Sequence, residues 1–269
     1  MARAPIARAR ETTMKTLALL ALLPLAAAPQ DPPKPAPPSP ELVESSIDAL
    51  KKAFAGKELP PKLEAIESAQ DVLDEKVIET LAKGMKEDED EVRMATLEAL
   101  RRMEHPTALE ELHDLYKRDK DLVKDEELLP VLLKAIGQHA SPESIDVLTD
   151  NPFRAKSYQA LEARILGLGR IRDARCVEEL IAMMQLVGKG KTASRMDDFR
   201  LSLMMLTGVD RGTSRDAWIA WWNDNKKKLE LPKTAPKLPE KLQRRWDYYW
   251  GDPHEKGRAK RREDRGGGE

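Results

Sequence analysis

The chain has 269 residues, of which 41% are hydrophobic, 35% are charged and only 4% are aromatic, and its formal net charge is −1. This length is enough for one elongated domain or two small ones. The near-neutral charge gives no sign of a nucleic-acid partner, and the abundance of Leu, Ala, Glu, Lys and Arg favours helices over strands.

The first residues have the pattern of a secretory signal peptide. Four basic residues precede the apolar run from Thr16 to Ala28, and prolines follow it. A run of this length is too short to anchor stably in a bilayer, and Pro24 argues against a buried first helix. We therefore predict a signal peptide at 1–28, export to the periplasm, cell envelope or extracellular space, and no membrane span after cleavage.

The exact start of the mature chain stays open. Met1 and Met14 are both candidate starts, and cleavage is expected between Ala26 and Gln30. The segment 29–40 has seven prolines in twelve residues, a composition that is typical of an extended linker.

From residue 41 onward the apolar residues follow helical spacing, and an internal repeat appears. A small residue followed by an aliphatic one marks the end of a helix at Ala99–Leu100, Ala135–Ile136 and Gly167–Leu168, with separations of 36 and 32 residues. A short turn and a new helix follow each time. The aliphatic positions of these new helices are Leu109 and Leu112, Ile145 and Leu148, and Val177 and Leu180.

The segment DEDEVRMATLEALRRMEHPTALEEL, from Asp88 to Leu112, resembles a HEAT repeat, with Asp88 in the turn and Val92–Arg93 at the start of the second helix. The similarity extends over about Leu63 to Leu206. It implies an all-α fold, an α-solenoid of stacked helix pairs whose second helices line the concave side, and a role in binding proteins. Phe153–Arg154 matches the helix start but comes two turns early, which predicts a long second helix there.

Three of the five tryptophans, Trp218, Trp221 and Trp222, occupy one face of a predicted helix that begins after the N-cap Ser214. We predict that they form a structural cap on the last unit of a HEAT-like repeat domain spanning 41–230. The ending also resembles that of HEAT-like proteins exported by certain bacteria. The alternative is an exposed platform on which sugars stack.

Two segments follow the repeat domain. The first, 231–251, contains an aromatic cluster and is predicted to be a short segment that docks on the solenoid. The second, 252–269, mixes basic and acidic residues and is predicted to be a disordered tail. Basic and aromatic residues together could bind single-stranded nucleic acid, but the interleaved acids and the predicted export argue against it.

The sequence contains no recognisable set of catalytic residues, and we predict no catalytic residue, no cofactor and no metal site. Cys176 is the only cysteine, which excludes an internal disulfide, and its apolar neighbours favour a core residue over a nucleophile. The loop GKGKTAS (188–194) lacks the first glycine of a phosphate-binding loop. The four histidines lack metal-ligand spacing, and His105 and His139 are predicted to be exposed turn residues.

A modest excess of basic residues on the predicted second helices suggests a binding surface for an acidic protein partner. Arg101, Arg164 and Arg200 are the candidate contacts, with the alternative that Arg164 only pairs within the fold. The sequence thus predicts a non-catalytic, exported scaffold for protein–protein interaction in the bacterial envelope. The alternative is a polysaccharide-binding or carbohydrate-processing accessory protein. A relationship to HEAT-like bilin lyases has no support beyond the repeat itself.

Overall fold

The computed structural model of the chain describes residues 37–154, 157–186 and 195–251. The predicted signal peptide at 1–28, most of the linker at 29–40, the loop 188–194 and the tail 252–269 lie outside these residues.

Twelve α-helices and three short 3-10 helices make up the described part of the chain, which has no β-strand. The 3-10 helices are Ala82–Lys86, Leu122–Lys124 and Pro142–Ser144. The α-helices are α1 Pro40–Ala55, α2 Leu59–Ala69, α3 Glu75–Leu81, α4 Asp90–Arg102, α5 Pro106–Arg118, α6 Leu128–Gln138, α7 Ile145–Thr149, α8 Tyr158–Arg170, α9 Ala174–Leu186, α10 Met196–Thr207, α11 Arg215–Asn225 and α12 Glu240–Trp250.

The first ten helices form five consecutive pairs, and each pair packs on the next. Of the first helices of the pairs, α1, α3 and α5 pack in chain order, and so do α7, α9 and α11. Hydrogen bonds between α5 and the residues that flank α7, Ser144 and Asp150, connect the two sets. The second helices α2, α4, α6, α8 and α10 stack in chain order along the other side. The predicted all-α solenoid of stacked helix pairs is therefore confirmed. One pair cannot bury its apolar stripe alone, so stacking provides the continuous core.

Local signals begin and end the helices where the sequence predicts. Pro106 is the first residue of α5. Its missing N–H costs nothing there, because the N–H groups of the first turn have no intrahelical acceptor. The Ser214 hydroxyl accepts a hydrogen bond from the Ala217 N–H at 3.3 Å and caps α11. Gly208 ends α10 in the left-handed conformation, with φ of 72°, which glycine adopts without strain.

The positions that repeat in the sequence lie in the core. The small and aliphatic residues at the ends of α4, α6 and α8 are all buried, and so are the aliphatic residues of the helices that follow. These residues are Ala99, Leu100, Leu109, Leu112, Ala135, Ile136, Ile145, Leu148, Gly167, Leu168, Val177 and Leu180. The repeat therefore marks the residues that pack one unit on the next.

Small residues set how closely the second helices approach one another. A Cβ atom added to Gly137 of α6 would lie 2.7 Å from the Cα atom of Gly167 in α8. A Cβ atom on Gly169 of α8 would lie 2.6 Å from the Cβ of Ser202 in α10 and 2.7 Å from its Cα. The Ser202 hydroxyl also donates a hydrogen bond to the carbonyl of Ile165 at 2.8 Å. These contacts leave no room for larger side chains.

The second helix of the fourth unit is shorter than predicted. We expected a long helix from Phe153–Arg154, but α8 begins at Tyr158 and has 13 residues, the same number as α4. Ser157 sets this start, because its hydroxyl accepts a hydrogen bond from the Ala160 N–H at 3.4 Å. Phe153 lies in the preceding loop and is 39% exposed.

We predict that Gly169→Ala destabilises the protein by about 1–2 kcal/mol. Overpacking against Ser202 costs about 1–3 kcal/mol, whereas alanine improves the helix propensity by up to about 1 kcal/mol. Propensity alone would give the opposite sign, so chemical denaturation of the variant decides between the two effects. The exposed Glu178→Ala in α9 is the control and should change the free energy of unfolding by less than about 0.5 kcal/mol.

Candidate interaction surface

The sides of α4, α6, α8 and α10 that face away from the first helices form a continuous surface, here called the inner surface. The last helix, α12, lies on it and contacts residues of all four helices. Arg245, in the middle of α12, contacts α8 and α10, whereas Trp250 at its end contacts α4 and α6. The helix therefore runs back across the stack from the last pair toward the second.

Aromatic side chains hold the end of α12 in place. Trp246 and Trp250 are buried, and their ring centroids are 5.7 Å apart. A Cβ atom on Gly137 would lie 3.2 Å from the Trp250 ring, so the glycine that brings α6 and α8 together also makes room for this ring. The Arg170 guanidinium lies 4.9 Å from the centroid of Trp250, and the Lys134 ammonium lies 4.9 Å from that of Tyr249.

A buried carboxylate holds the middle of α12. Asp198 of α10 is fully buried, and one of its oxygens pairs with Arg195 Nη1 at 2.7 Å. Its other oxygen pairs with Arg245 of α12. Burial raises the pKa of Asp198, and the two guanidinium groups oppose this shift. Burial also lowers the pKa of Arg195 to about 10, at which the residue is still a cation at neutral pH.

Arg101 does not lie free on the surface as predicted. Its side chain is only 6% exposed, and it donates hydrogen bonds to Glu98, to Gln138 and to the carbonyl of Trp250, the last at 3.2 Å. The prediction that it contacts a partner protein is therefore corrected: Arg101 binds the end of α12, which covers it.

Arg164 is also buried, with 3% exposure, so the expected surface contact is corrected here as well. Its Nη1 atom donates to the carbonyls of Val147 and Leu148 at 2.7 and 3.0 Å, and its Nη2 atom donates to the Tyr116 hydroxyl at 2.9 Å. The alternative, that Arg164 only pairs within the fold, describes it better, because its partners lie on the neighbouring helices α5 and α7.

Arg200 is partly exposed but engaged. Its Nε and Nη2 atoms donate to the two carboxylate oxygens of Asp210 at 2.8 and 2.6 Å, and Asp210 also accepts from the Gly212 N–H. This bidentate pair stabilises the turn between α10 and α11. The three candidate arginines are thus not brought together into one site.

The charged residues that the fold does bring together were missed by the sequence analysis. Arg195 and Asp198 are three residues apart, which is the spacing of a helical ion pair, but this spacing is common on exposed faces and does not predict burial. Lys62, only 4% exposed, binds Glu87 and Glu89 at the start of α4. No sequence pattern around Lys62 predicts its burial or its pairing with residues 25 and 27 positions away.

The tryptophans of α11 are core residues. Trp218 is fully buried and its indole N–H donates to the carbonyl of Gly212 at 2.8 Å. Trp221 is 8% exposed and its ring lies edge-on to that of Trp218, with centroids 5.7 Å apart. Trp222 is partly buried against the same core. This burial supports the structural cap and leaves no open pair of ring faces for a stacked sugar.

Cys176 is a core residue, and the side chains of His105 and His139 are engaged in the fold. Cys176 is fully buried, and burial raises the pKa of its thiol to about 12, so it carries no reactive thiolate. His139 was expected to be exposed, but it is half-buried and its Nε2 atom lies 3.1 Å from the carbonyl oxygen of Leu100. His105 caps α5 by accepting a hydrogen bond from Thr107.

The described residues contain neither a metal-binding cluster nor a membrane-spanning helix. No group of three or more His, Cys, Asp and Glu residues in 37–154, 157–186 and 195–251 is arranged to hold a metal ion. Within the same ranges, no helix combines the length and the apolar character that crossing a membrane requires.

We predict that Trp218→Ala costs about 3–5 kcal/mol of stability, because it removes a fully buried ring and its hydrogen bond. Trp222→Ala should cost clearly less, since that side chain is partly exposed. Thermal and denaturant unfolding measure both. Equal losses in the two variants would contradict the assignment of Trp218 as the centre of the cap.

We predict that Trp250→Ala releases α12 from the inner surface. An 11-residue helix is marginal by itself, so loss of this buried ring should speed hydrogen exchange of the amides in 240–250 while the other helices keep their protection. Tyr248→Ala is the matched control, because this side chain of the same helix is 80% exposed. Unchanged exchange in Trp250→Ala would show that other contacts hold the helix.

The comparisons with known proteins agree with the first half of this architecture. Residues 47–129 match the family model of HEAT repeats, a stretch that begins within α1 and ends at the start of α6. No curated protein matches the chain. HEAT repeats commonly serve as scaffolds for protein interaction, and the matched stretch together with the stacked helix pairs identifies a HEAT-like repeat fold in this chain.

Proposed function

We propose that this protein is a non-catalytic scaffold that is exported to the bacterial envelope and binds a protein partner there. The observation that carries the proposal is the inner surface itself, which is built from rigidly stacked second helices and already holds a helix, α12. Solenoids of this kind offer an extended surface for binding and no preorganised reaction site. Residues 1–28 support the export part, since they have the charge and apolar pattern of a signal peptide.

The chemistry of the inner surface favours a protein over a nucleic acid. Three of its cations already have partners within the fold: the buried Arg101 binds Glu98 and the Trp250 carbonyl, and the buried Arg195 and the partly exposed Arg245 bind Asp198. A surface for the phosphate backbone would instead present unpaired arginines and lysines. The partner is expected to meet the inner surface together with the outward side of α12, where Tyr248 is exposed.

Export is tested by expressing the full chain in a Gram-negative host and determining its N-terminus by mass spectrometry. The expected result is a periplasmic protein that begins between Ala26 and Gln30. Leu20→Arg should block processing because a charge interrupts the apolar run, whereas Leu20→Val should be processed normally. An unprocessed parent chain in the cytoplasm would contradict the export proposal.

The binding surface is tested with a photo-crosslinking residue at position 248, on the exposed side of α12, in the full chain expressed in its native cells. A control protein carries the same residue at position 178, which is exposed on the first helix α9. We expect a protein crosslinked from 248 and not from 178. Crosslinks from 178 alone would assign binding to the opposite side of the solenoid. A crosslinked product digested by glycosidases and not by proteases would support the polysaccharide alternative.

A further inference from the structure

A pocket with a volume of about 570 Å³ lies between the end of α5, the start of α6 and the described residues Asp150, Asn151, Arg154 and Ser157 that precede α8. Its size falls in the range of pockets that bind small ligands or single side chains of a partner. Three buried polar side chains line it, namely Tyr116, Ser157 and Arg164, which are at most 9% exposed. A pocket lined in this way has fixed hydrogen-bonding groups.

The charge of Arg164 is the main feature of this pocket. Its guanidinium binds two backbone carbonyls and the Tyr116 hydroxyl, and its buried Nε atom finds no hydrogen-bond partner within the part of the chain that the structure describes. Among the described residues, no carboxylate forms an ion pair with it. A buried cation without an anionic partner is costly, so this position favours the arrival of an anion.

The rim of the pocket strengthens the attraction. Lys117, Lys120, Lys124 and Arg154 line it and are exposed. Lys124 lies 3.6 Å from Asp121, a distance typical of a weak surface pair. Among the described residues, the ammonium group of Lys120 donates a hydrogen bond to the carbonyl of Lys117 and to no other group. The long lysine stems can bring their ammonium groups to an anion that the planar guanidinium binds.

Three acidic residues of the lining restrict which anion fits. Asp125 accepts hydrogen bonds from two backbone N–H groups at the start of α6, and Asp150 accepts one from the Tyr116 hydroxyl. Glu126 is exposed beside them. Their charges offset part of the positive charge of the five basic groups of the lining. The pocket therefore compensates the desolvation of one carboxylate group, which carries a single charge, better than that of a phosphate, which carries up to two charges on one group.

We propose that this pocket binds a ligand through its carboxylate groups. The carboxylate belongs either to a small organic acid or to an acidic segment of a partner protein, and both present the same chemistry to Lys117, Lys120 and Arg164. The inference goes beyond the proposed scaffold function and does not depend on it. None of the residues that line the pocket belongs to α12, which carries the crosslinking position 248.

Binding is measured on the full mature chain at low ionic strength. The two carboxylate probes are glutarate, followed by calorimetry, and a fluorescein-labelled peptide of five glutamates, followed by anisotropy. Inorganic phosphate is the third probe. We expect saturable binding of at least one carboxylate probe that weakens as salt rises, and weaker binding of phosphate. Glutarate binding indicates a small-molecule ligand, whereas binding of the peptide alone indicates a partner segment.

Matched lysine pairs locate the binding. Lys117→Ala/Lys120→Ala removes two exposed cations at the end of α5, and Lys226→Ala/Lys227→Ala removes two at the end of α11, far from the pocket in the chain. The first pair should weaken binding about tenfold and the second less than about twofold. Equal effects of the two pairs, or no saturable binding of either carboxylate probe, overturn the proposal.

Asp150→Asn tests the selection between anions without touching the buried arginine. The amide oxygen still accepts the Tyr116 hydrogen bond, so the fold is expected to stay intact, while one repelling charge disappears. Carboxylate affinity should rise about two- to fivefold, with a larger rise for phosphate. Asp224→Asn on α11 is the matched control and should change neither. Phosphate binding tighter than that of both carboxylates in the parent protein would refute the assignment.

Discussion

Close approach between successive second helices is the constraint on which the rest of the structure depends. Gly137 meets Gly167, and Gly169 meets Ser202, at distances that allow no additional side-chain atom. These contacts bring α6, α8 and α10 together tightly enough to bury the aliphatic residues at the helix ends. Because each pair contacts only its neighbours, a mismatch in one unit disturbs the adjacent interfaces, while distant units keep their own packing.

The same stacking produces the inner surface and determines what can lie on it. The Trp250 ring packs directly against Gly137, because glycine has no side chain that would occupy this space. Asp198 of α10 is fully buried, and Arg245 of α12 and Arg195 supply the positive charges that a buried carboxylate requires. Removing one partner of such a pair is costly, so α12 is coupled electrostatically to the last helix pair as well as packed against the earlier ones.

Charged residues of this chain therefore have two distinct roles. Arg101 and Arg164 are buried, and their hydrogen bonds join helices that are distant in sequence, whereas the buried Arg195 pairs with Asp198 only three residues away. Lysines around the pocket at α5 remain exposed and are available to a ligand. An excess of basic residues on the second helices cannot distinguish these roles. The long side chain of an arginine at the edge of the core can extend into the core and become buried.

The sequence by itself determined the helices, their pairing and the burial of their repeated positions. Those features depend on local spacing, on caps such as Ser214 and on small residues at helix ends, all of which act within a few residues. Tertiary structure alone decided that Arg101 and Arg164 are buried, that α8 begins at Tyr158, and that α12 lies across α4 to α10. These outcomes depend on contacts between residues up to 149 positions apart, and no local pattern encodes which distant carbonyl or ring a side chain will meet.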